Sequence, residues 1–255
     1  MTVYLDFLHD LKDEVSDRLL YYFHKRAFSV TEKQNTSPVT EADLEIEQLI
    51  RNKAMQAFPT IALIGEEYEQ YEPDKHATTK LIIDPIDATA NFIRGVPIFA
   101  TLLAFETDSI ITDAMIIAPA IHATWWASET QGAFYNHEAI HVSSVAHLAD
   151  ACAFHGTLYG YEATGLPAGA QRLLSQTKRQ RGFGDFYAPM LVAMGCGECS
   201  FDTNLACWDM APIKLIIEEA GGTFTDFSGN PSIYHHEMLC SNSHVHDACL
   251  GYLNG

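Results

Sequence analysis

The chain has 255 residues, 47% of them hydrophobic, with 14 Phe and 11 Tyr; this suffices for a continuous core and excludes a disordered chain. Its formal net charge is −18, from 33 acidic and 15 basic side chains. Such a surface repels nucleic acid and anionic membranes, and its clefts can hold an anionic substrate only where cations intervene.

The opening MTVYLDFLHDLKDEV carries acids early and lacks the unbroken apolar core of an export signal, so a cytoplasmic location is expected. Leu5, Leu8, Val15, Leu19, Leu20 and Phe23 recur at helical spacing and predict a helix over 3–27. The polar stretch SVTEKQNTSP (29–38) reads as a mobile loop. A second helix is predicted from Thr40 to about Ala57, with Thr40 as N-cap, Asp43 in the capping-box position and Pro59 just past its end. IALIG (61–65) reads as a buried strand ending on Glu66 and Glu67, and LII (81–83) as another ending on Asp84. Two β-rich runs follow, ATLLAFE (100–106) and IITDAMIIAPAIHATWWAS (110–128), and QGAFYNHEAIHVS reads as a hairpin closing the first half.

The second half alternates. ACAFHG is strand-like, 160–177 is helix or loop, and APMLVAMG is a buried helix. WDMAPIKLIIEEAGG is a helix with Asp209 at its start and Gly221 and Gly222 as its stop. The pattern predicts α/β layering in one domain over 1–255, with halves 1–142 and 143–255. No run reaches the roughly 18 apolar residues of a membrane span. Cys196 and Cys199 form a CxxC that Cys240 and Cys249 do not match at zinc-site spacing, so the thiols read as core residues in a reducing compartment. His235, His236, His244 and His246 read as exposed side chains rather than metal ligands.

The acids fall where apolar runs stop: Glu66 and Glu67 after IALIG, Asp84 and Asp87 after LII, and Asp209 at a helix start. Element ends are where a fold presents groups to a cleft. Each acid also has a plain structural reading. Asp209 can cap its helix, Asp43 can complement a helix dipole, Glu66 and Glu67 can form a solvated turn, and Asp84-Pro85 can start one. Their joint occurrence favours a site. Carboxylates gathered in one place repel, and a hard divalent cation such as Mg²⁺ removes that cost and inverts the local charge toward a phosphate. Two such ions can activate water and stabilise a leaving oxygen. Thr89 can orient the water, and amides after Asp87 can hold phosphate oxygens if a helix starts there.

In SPVTEAD (37–43), IGEE (64–67), DPIDATANF (84–92), WDMAP (208–212) and EAGG (219–222), the chain resembles the inositol monophosphatase family of metal-dependent sugar- and alcohol-phosphate phosphatases. The resemblance implies an αβαβα sandwich, two or three Mg²⁺ ions and a homodimer. It implies that Glu66, Asp84, Asp87, Asp209 and the Ile86 carbonyl ligate metal. It further implies that Thr89, with Asp43 and Glu66, activates water, and that the amides of Ala88 and Thr89 bind phosphate. FIRGVPIFATLLAF and RGFGDFYAPMLVA are more similar to the histidinol-phosphate phosphatase branch, although Phe99 stands where that branch often has tryptophan. Gly184 and Asp185 of GDFY match its GD-x-Y, and Asp202 stands where inositol phosphatases place glutamate. Histidinol carries an ammonium and inositol does not, so Asp185 and Asp202 can pair with that cation; the plain reading is that both cap or hydrogen-bond within the fold.

Ala88 replaces the family's glycine. A negative φ there, as at a helix start, would make the substitution nearly free, and that is the expectation. Histidinol phosphate is the first substrate expected and inositol monophosphate the second. Bisphosphate substrates fit less well, because the chain is short and lacks evident basic residues for a second phosphate. A weakly active metal- or partner-binding relative is the alternative from another class, and Ala88 alone supports it. Neither a G-x-S-x-G elbow nor a G-x-x-x-x-G-K-[ST] loop is present, so acyl transfer and nucleoside-triphosphate hydrolysis have little support.

Overall fold

The computed structural model describes residues 2–26, 28–32, 38–74, 77–159 and 165–255. Helix α1 (Val3–Lys25) starts at Thr2, whose hydroxyl accepts from the Leu5 amide at 3.0 Å. Strands β1 (Val30–Glu32) and β2 (Pro38–Thr40) pair antiparallel. The segment expected to be a loop is therefore partly strand, as β-branched Val30 favours; residues 33–37 of that expectation lie outside the described residues. Helix α2 (Glu41–Ala57) begins with the expected capping box of Thr40 and Asp43.

A seven-stranded sheet follows, in the order β3 (Ala62–Gly65), β4 (Thr79–Asp87), β5 (Ala100–Thr107), β6 (Ile110–Ala118), β7 (Ala123–Ser128), β8 (Ala133–Tyr135) and β9 (Glu138–Ile140). Helix α3 (Thr89–Arg94) lies between β4 and β5 in the chain. Within this sheet β3 and β4 pair in parallel and the other described neighbours antiparallel. The long strands carry unbroken apolar runs, Leu81–Ile83 in β4 and Leu102–Phe105 in β5, because both faces are covered. Leu81, Ile83, Leu103, Phe105, Met115 and Ile117 pack on the side of α1 and α2, whereas Ile82, Leu102, Ala104, Ala114 and Ile116 face the opposite way.

The remaining elements are β10 (Cys152–His155), α4 (Ala170–Ser175), β11 (Arg179–Gly182), α5 (Tyr187–Ala193), β12 (Cys199–Thr203), α6 (Cys207–Glu219), β13 (Thr223–Thr225), β14 (Glu237–Ser241) and α7 (His246–Leu253). Of the span 160–177, residues 160–164 lie outside the described residues, and α4 occupies its end. The second sheet runs β11-β10-β12-β14-β13, and β10 pairs in parallel with both β11 and β12. Residues of α5 and α6 share one core with the inner faces of both sheets, including Ile82 and Leu102 from the first and Met238 and Cys240 from the second. Cys199, Phe201 and Leu239 pack on the far side with residues of α4 and α7. The layers are thus α1/α2, sheet, α5/α6, sheet and α4/α7, the αβαβα sandwich expected. Among the described residues no helix is long and apolar enough to cross a membrane.

Two expectations need correction here. Cys199, Cys240 and Cys249 are core thiols, but Cys196 is exposed, because it sits in the turn that follows α5. His246 is also not exposed. It opens α7 with its ring between the hydroxyls of Thr225 (3.0 Å) and Ser241 (2.9 Å), a paired polar group in the core.

Candidate active site

Asp84 and Asp87 are three residues apart, and a regular strand would send them to opposite faces. The pairing of β4 with β5 shifts between them. Asp84 stands opposite Leu102 and Asp87 opposite Ala100, so β4 holds one extra residue. This bulge turns both carboxylates to one side. Pro85 fits it because it has no amide to leave unpaired, and its carbonyl accepts from the Thr101 hydroxyl at 2.7 Å.

Asp209 reaches the same place from α6. One of its oxygens accepts from the Ala206 amide at 2.7 Å, so it is the helix cap of the plain reading. It is also a member of a cluster, since Asp84, Asp87 and Asp209 each offer an oxygen within 4.8 Å of the others. Burial, then the charges of Glu66, Asp87 and Asp209, push the Asp84 carboxyl well above the usual carboxylate range. Burial and the charges of Asp185 and Asp209 do the same to Asp87, against a hydrogen bond from the Phe186 amide. Asp209 is pushed up to about 7, mainly by burial, and shares a hydrogen bond with Asp84. Glu66 follows β3, with its amide on the Ile83 carbonyl at 3.2 Å, and its charge raises Asp84, Asp87 and Asp209 alike.

Asp43 is fully buried on α2. One oxygen serves the capping box with Thr40, and the other, Oδ1, has no partner. Burial first, with the charge of Glu66 adding, pushes this carboxyl up to about 6. The Thr89 hydroxyl donates to the Ile86 carbonyl at 2.9 Å, which closes the turn from β4 into α3.

That turn overturns the expectation for Ala88. Its φ is +64° and its ψ 45°, in the left-handed region. The residue must reverse the chain between a strand and a helix within one step, while its carbonyl accepts the amides of Asn91 and Phe92. An L-residue is disfavoured there by about 1–2 kcal/mol. The methyl packs against the apolar layer under α1 and α2, which offsets part of that cost.

The second sheet supplies the opposite wall. The parallel strands β10, β11 and β12 end on one edge, where a parallel sheet presents its ligand groups. Asp202 stands near the end of β12 and accepts from the Thr203 amide at 2.9 Å. Burial pushes its carboxyl up to about 6, against hydrogen bonds from the amides of Thr203 and Asp185. Gly156, just past β10, is a residue the sequence reading missed. A Cβ there would lie 2.2 Å from Asp202 Oδ2, so glycine is what lets this carboxylate sit where it does. A Cβ on Gly184 would come within 3.1 Å of the Gly156 Cα, which places Gly184 in the same corner. Asp185 follows with φ of +54°. The next amide, of Phe186, donates to Asp87 Oδ2 at 2.7 Å and ties the two walls together. The motif GDFY singled out this loop by its acid, but a backbone donor leaves no mark in side-chain chemistry.

The cluster fits a bound cation. Asp84 is 1% exposed, and its Oδ1 has no hydrogen-bond partner despite complete burial. An orphaned carboxylate oxygen among like charges is costly, and an all-oxygen donor set suits a hard divalent ion.

Comparison with known proteins agrees with this geometry. The inositol monophosphatase family model matches residues 1–253. A histidinol-phosphatase of Streptomyces coelicolor is 36% identical over 100% of this chain and 99% of its own. One from Chlorobaculum parvum is 35% identical over 94% and 92%. The solved IMPase of Thermotoga maritima superposes with a TM-score of 0.88 at 30% identity, covering 99% of this chain and 97% of that one. With the motifs, the layered fold and the acidic cluster in agreement, the chain belongs to the inositol monophosphatase family of metal-dependent phosphatases and is a phosphoric monoester hydrolase.

Proposed function

We propose that the chain hydrolyses histidinol phosphate, using Mg²⁺ held by Glu66, Asp84, Asp87, Asp209 and the Ile86 carbonyl. The observation that carries the metal reading is the buried, unpartnered Asp84 oxygen in a cluster of three carboxylates. Two or three ions are the number that the family resemblance implies. Mg²⁺ bound at such a cluster supplies a Lewis acid that activates water and takes up charge on the leaving oxygen.

The chain's own residues do the positioning. The Thr89 hydroxyl spends its proton on the Ile86 carbonyl, so its lone pairs are oriented to accept from the attacking water. Asp43, whose carboxyl feels the charge of Glu66, supports Thr89 in activating the water. The amides of Ala88 and Thr89 donate to phosphate oxygens. Water attacks phosphorus in line, the ester P–O bond breaks, and the alcohol departs with a proton, without a phosphoenzyme. Asp202 and Asp185, on the wall of the second sheet, provide carboxylates for the substrate's ammonium; Gly184 leaves space beside them. The 36% and 35% identity to two histidinol-phosphatases supports this choice of alcohol. Phosphate release from histidinol phosphate and from inositol monophosphate, measured in parallel, tests it. Far faster release from the inositol ester overturns the choice.

Ala88 gives a second expectation. Phosphate needs a backbone N–H at this position, which alanine and glycine share. Ala88→Gly is expected to relieve about 1–2 kcal/mol of left-handed strain, partly cancelled by the lost methyl contact and the freer unfolded chain. Turnover should change by only a few-fold. A gain beyond about tenfold, or about 1.4 kcal/mol of barrier, would mean that the methyl crowds the phosphate.

A further inference from the structure

Glu47 lies one helical turn beyond Asp43 on α2 and is completely buried. No part of the chemistry above uses it. Its Oε2 accepts from the Glu67 amide at 2.8 Å, and its Oε1 from the Tyr68 amide at 3.3 Å. Oε1 also accepts from Arg51 Nε at 2.7 Å, one further turn along α2. Arg51 in turn donates to the Tyr68 carbonyl at 3.2 Å and lies 5.5 Å from the centre of the Tyr68 ring. Before Glu66, Gly65 leans directly on the same carboxylate: a Cβ on Gly65 would lie 2.0 Å from Glu47 Oε1.

Glu66 is therefore held from both sides. Its own amide is pinned to β4 through the Ile83 carbonyl, Gly65 before it abuts Glu47, and the two amides after it point into the Glu47 carboxylate. A buried ion pair adds little stability over a well-packed apolar pair, so its presence argues for conformational specificity. Outside α2, the bonds described for this pair reach Glu67 and Tyr68, the two residues that follow Glu66.

We propose that Glu47, braced by Arg51, is a positioning residue that fixes the backbone of Glu66 so that its carboxylate meets the metal. This rests on the metal reading of Glu66 given above. Outer partners that orient a metal ligand typically change affinity by about 10- to 100-fold when removed. Glu47→Gln keeps the shape but turns an N–H₂ toward groups that themselves donate. Gly65→Ala leaves every charge in place and pushes a methyl into the Glu47 carboxylate.

The test is a calorimetric Mg²⁺ titration of the wild type and both variants, paired with the thermal shift that Mg²⁺ produces in each. Both variants are expected to bind Mg²⁺ about 10- to 100-fold more weakly, with the KM for Mg²⁺ rising more than kcat falls. Affinity within twofold of wild type in a folded variant overturns the proposal, even if its melting temperature is lower, because a merely structural role predicts that pattern. Should Glu47→Gln fail to fold, Gly65→Ala decides by the same criterion. A wild type that does not bind Mg²⁺ overturns the metal reading itself and this proposal with it; a wild type that binds, beside variants that bind equally, overturns only the role of Glu47.

Discussion

Replacing Asp87 with asparagine is expected to lower phosphate release by about 10³-fold or more, while making the metal-free protein more stable. The first effect follows from charge. In the proposed site each ligand carboxylate would help hold an ion whose charge stabilisation is worth several kcal/mol in the transition state, and about 4 kcal/mol is a thousandfold in rate. The second effect follows from the same burial. Asp87 is held well above the usual carboxylate range by burial and by Asp185 and Asp209, so the native state keeps a proton that the unfolded chain gives up near pH 4. Above that pH the unfolded state binds fewer protons, and the stability of the metal-free protein falls as pH rises. Asparagine removes this penalty, and its side-chain oxygen can still accept from the Phe186 amide. Denaturant unfolding in EDTA should therefore show a stability gain that is larger at pH 8 than at pH 5. Near wild-type turnover, or a variant less stable than wild type at pH 8, contradicts this account of the cluster.

Asp202→Asn carries the second large effect, and it is selective. A charge-assisted hydrogen bond to an ammonium contributes roughly 1.5–3 kcal/mol, so kcat/KM for histidinol phosphate should fall by about 10- to 100-fold. Inositol monophosphate has no cation to lose and should be affected by no more than a few-fold. The pH dependence has a definite sign. Asp202 is pushed up to about 6 by burial, so its charge, and with it the preference for the cationic alcohol, fades as pH drops through that value. Equal losses on both esters would assign Asp202 to the fold alone, as a partner of the Thr203 and Asp185 amides.

The acids that cluster in the structure were legible at the ends of apolar runs, since burial on both faces makes strands such as β4 and β5 stand out and a carboxylate ends the run visibly. The capping box of Thr40 and Asp43 was equally legible, because both halves of it are local. What escaped the sequence reading is geometry without side-chain chemistry. The bulge that turns Asp84 and Asp87 to one side depends on pairing with β5, which no local pattern records. The left-handed Ala88 violates the preference of its own residue type, so a reading from propensity had to miss it. Gly156 makes room for Asp202 from a strand distant in sequence. Strand β11 reads RQRG, too short and polar to declare itself. His246 looked like a surface histidine because the hydroxyls that satisfy it come from β13 and β14.

The acidic cluster is proposed to be a working Mg²⁺-dependent phosphatase centre. Phosphate release from a panel of small alcohol phosphates, run beside a calorimetric Mg²⁺ titration of the same preparation, tests it most directly. Expected are saturable Mg²⁺ binding, release that is fastest with histidinol phosphate, complete loss in EDTA and recovery when Mg²⁺ is restored. Mg²⁺ binding without release from any member of the panel would contradict it and would leave a metal-binding relative that has lost turnover.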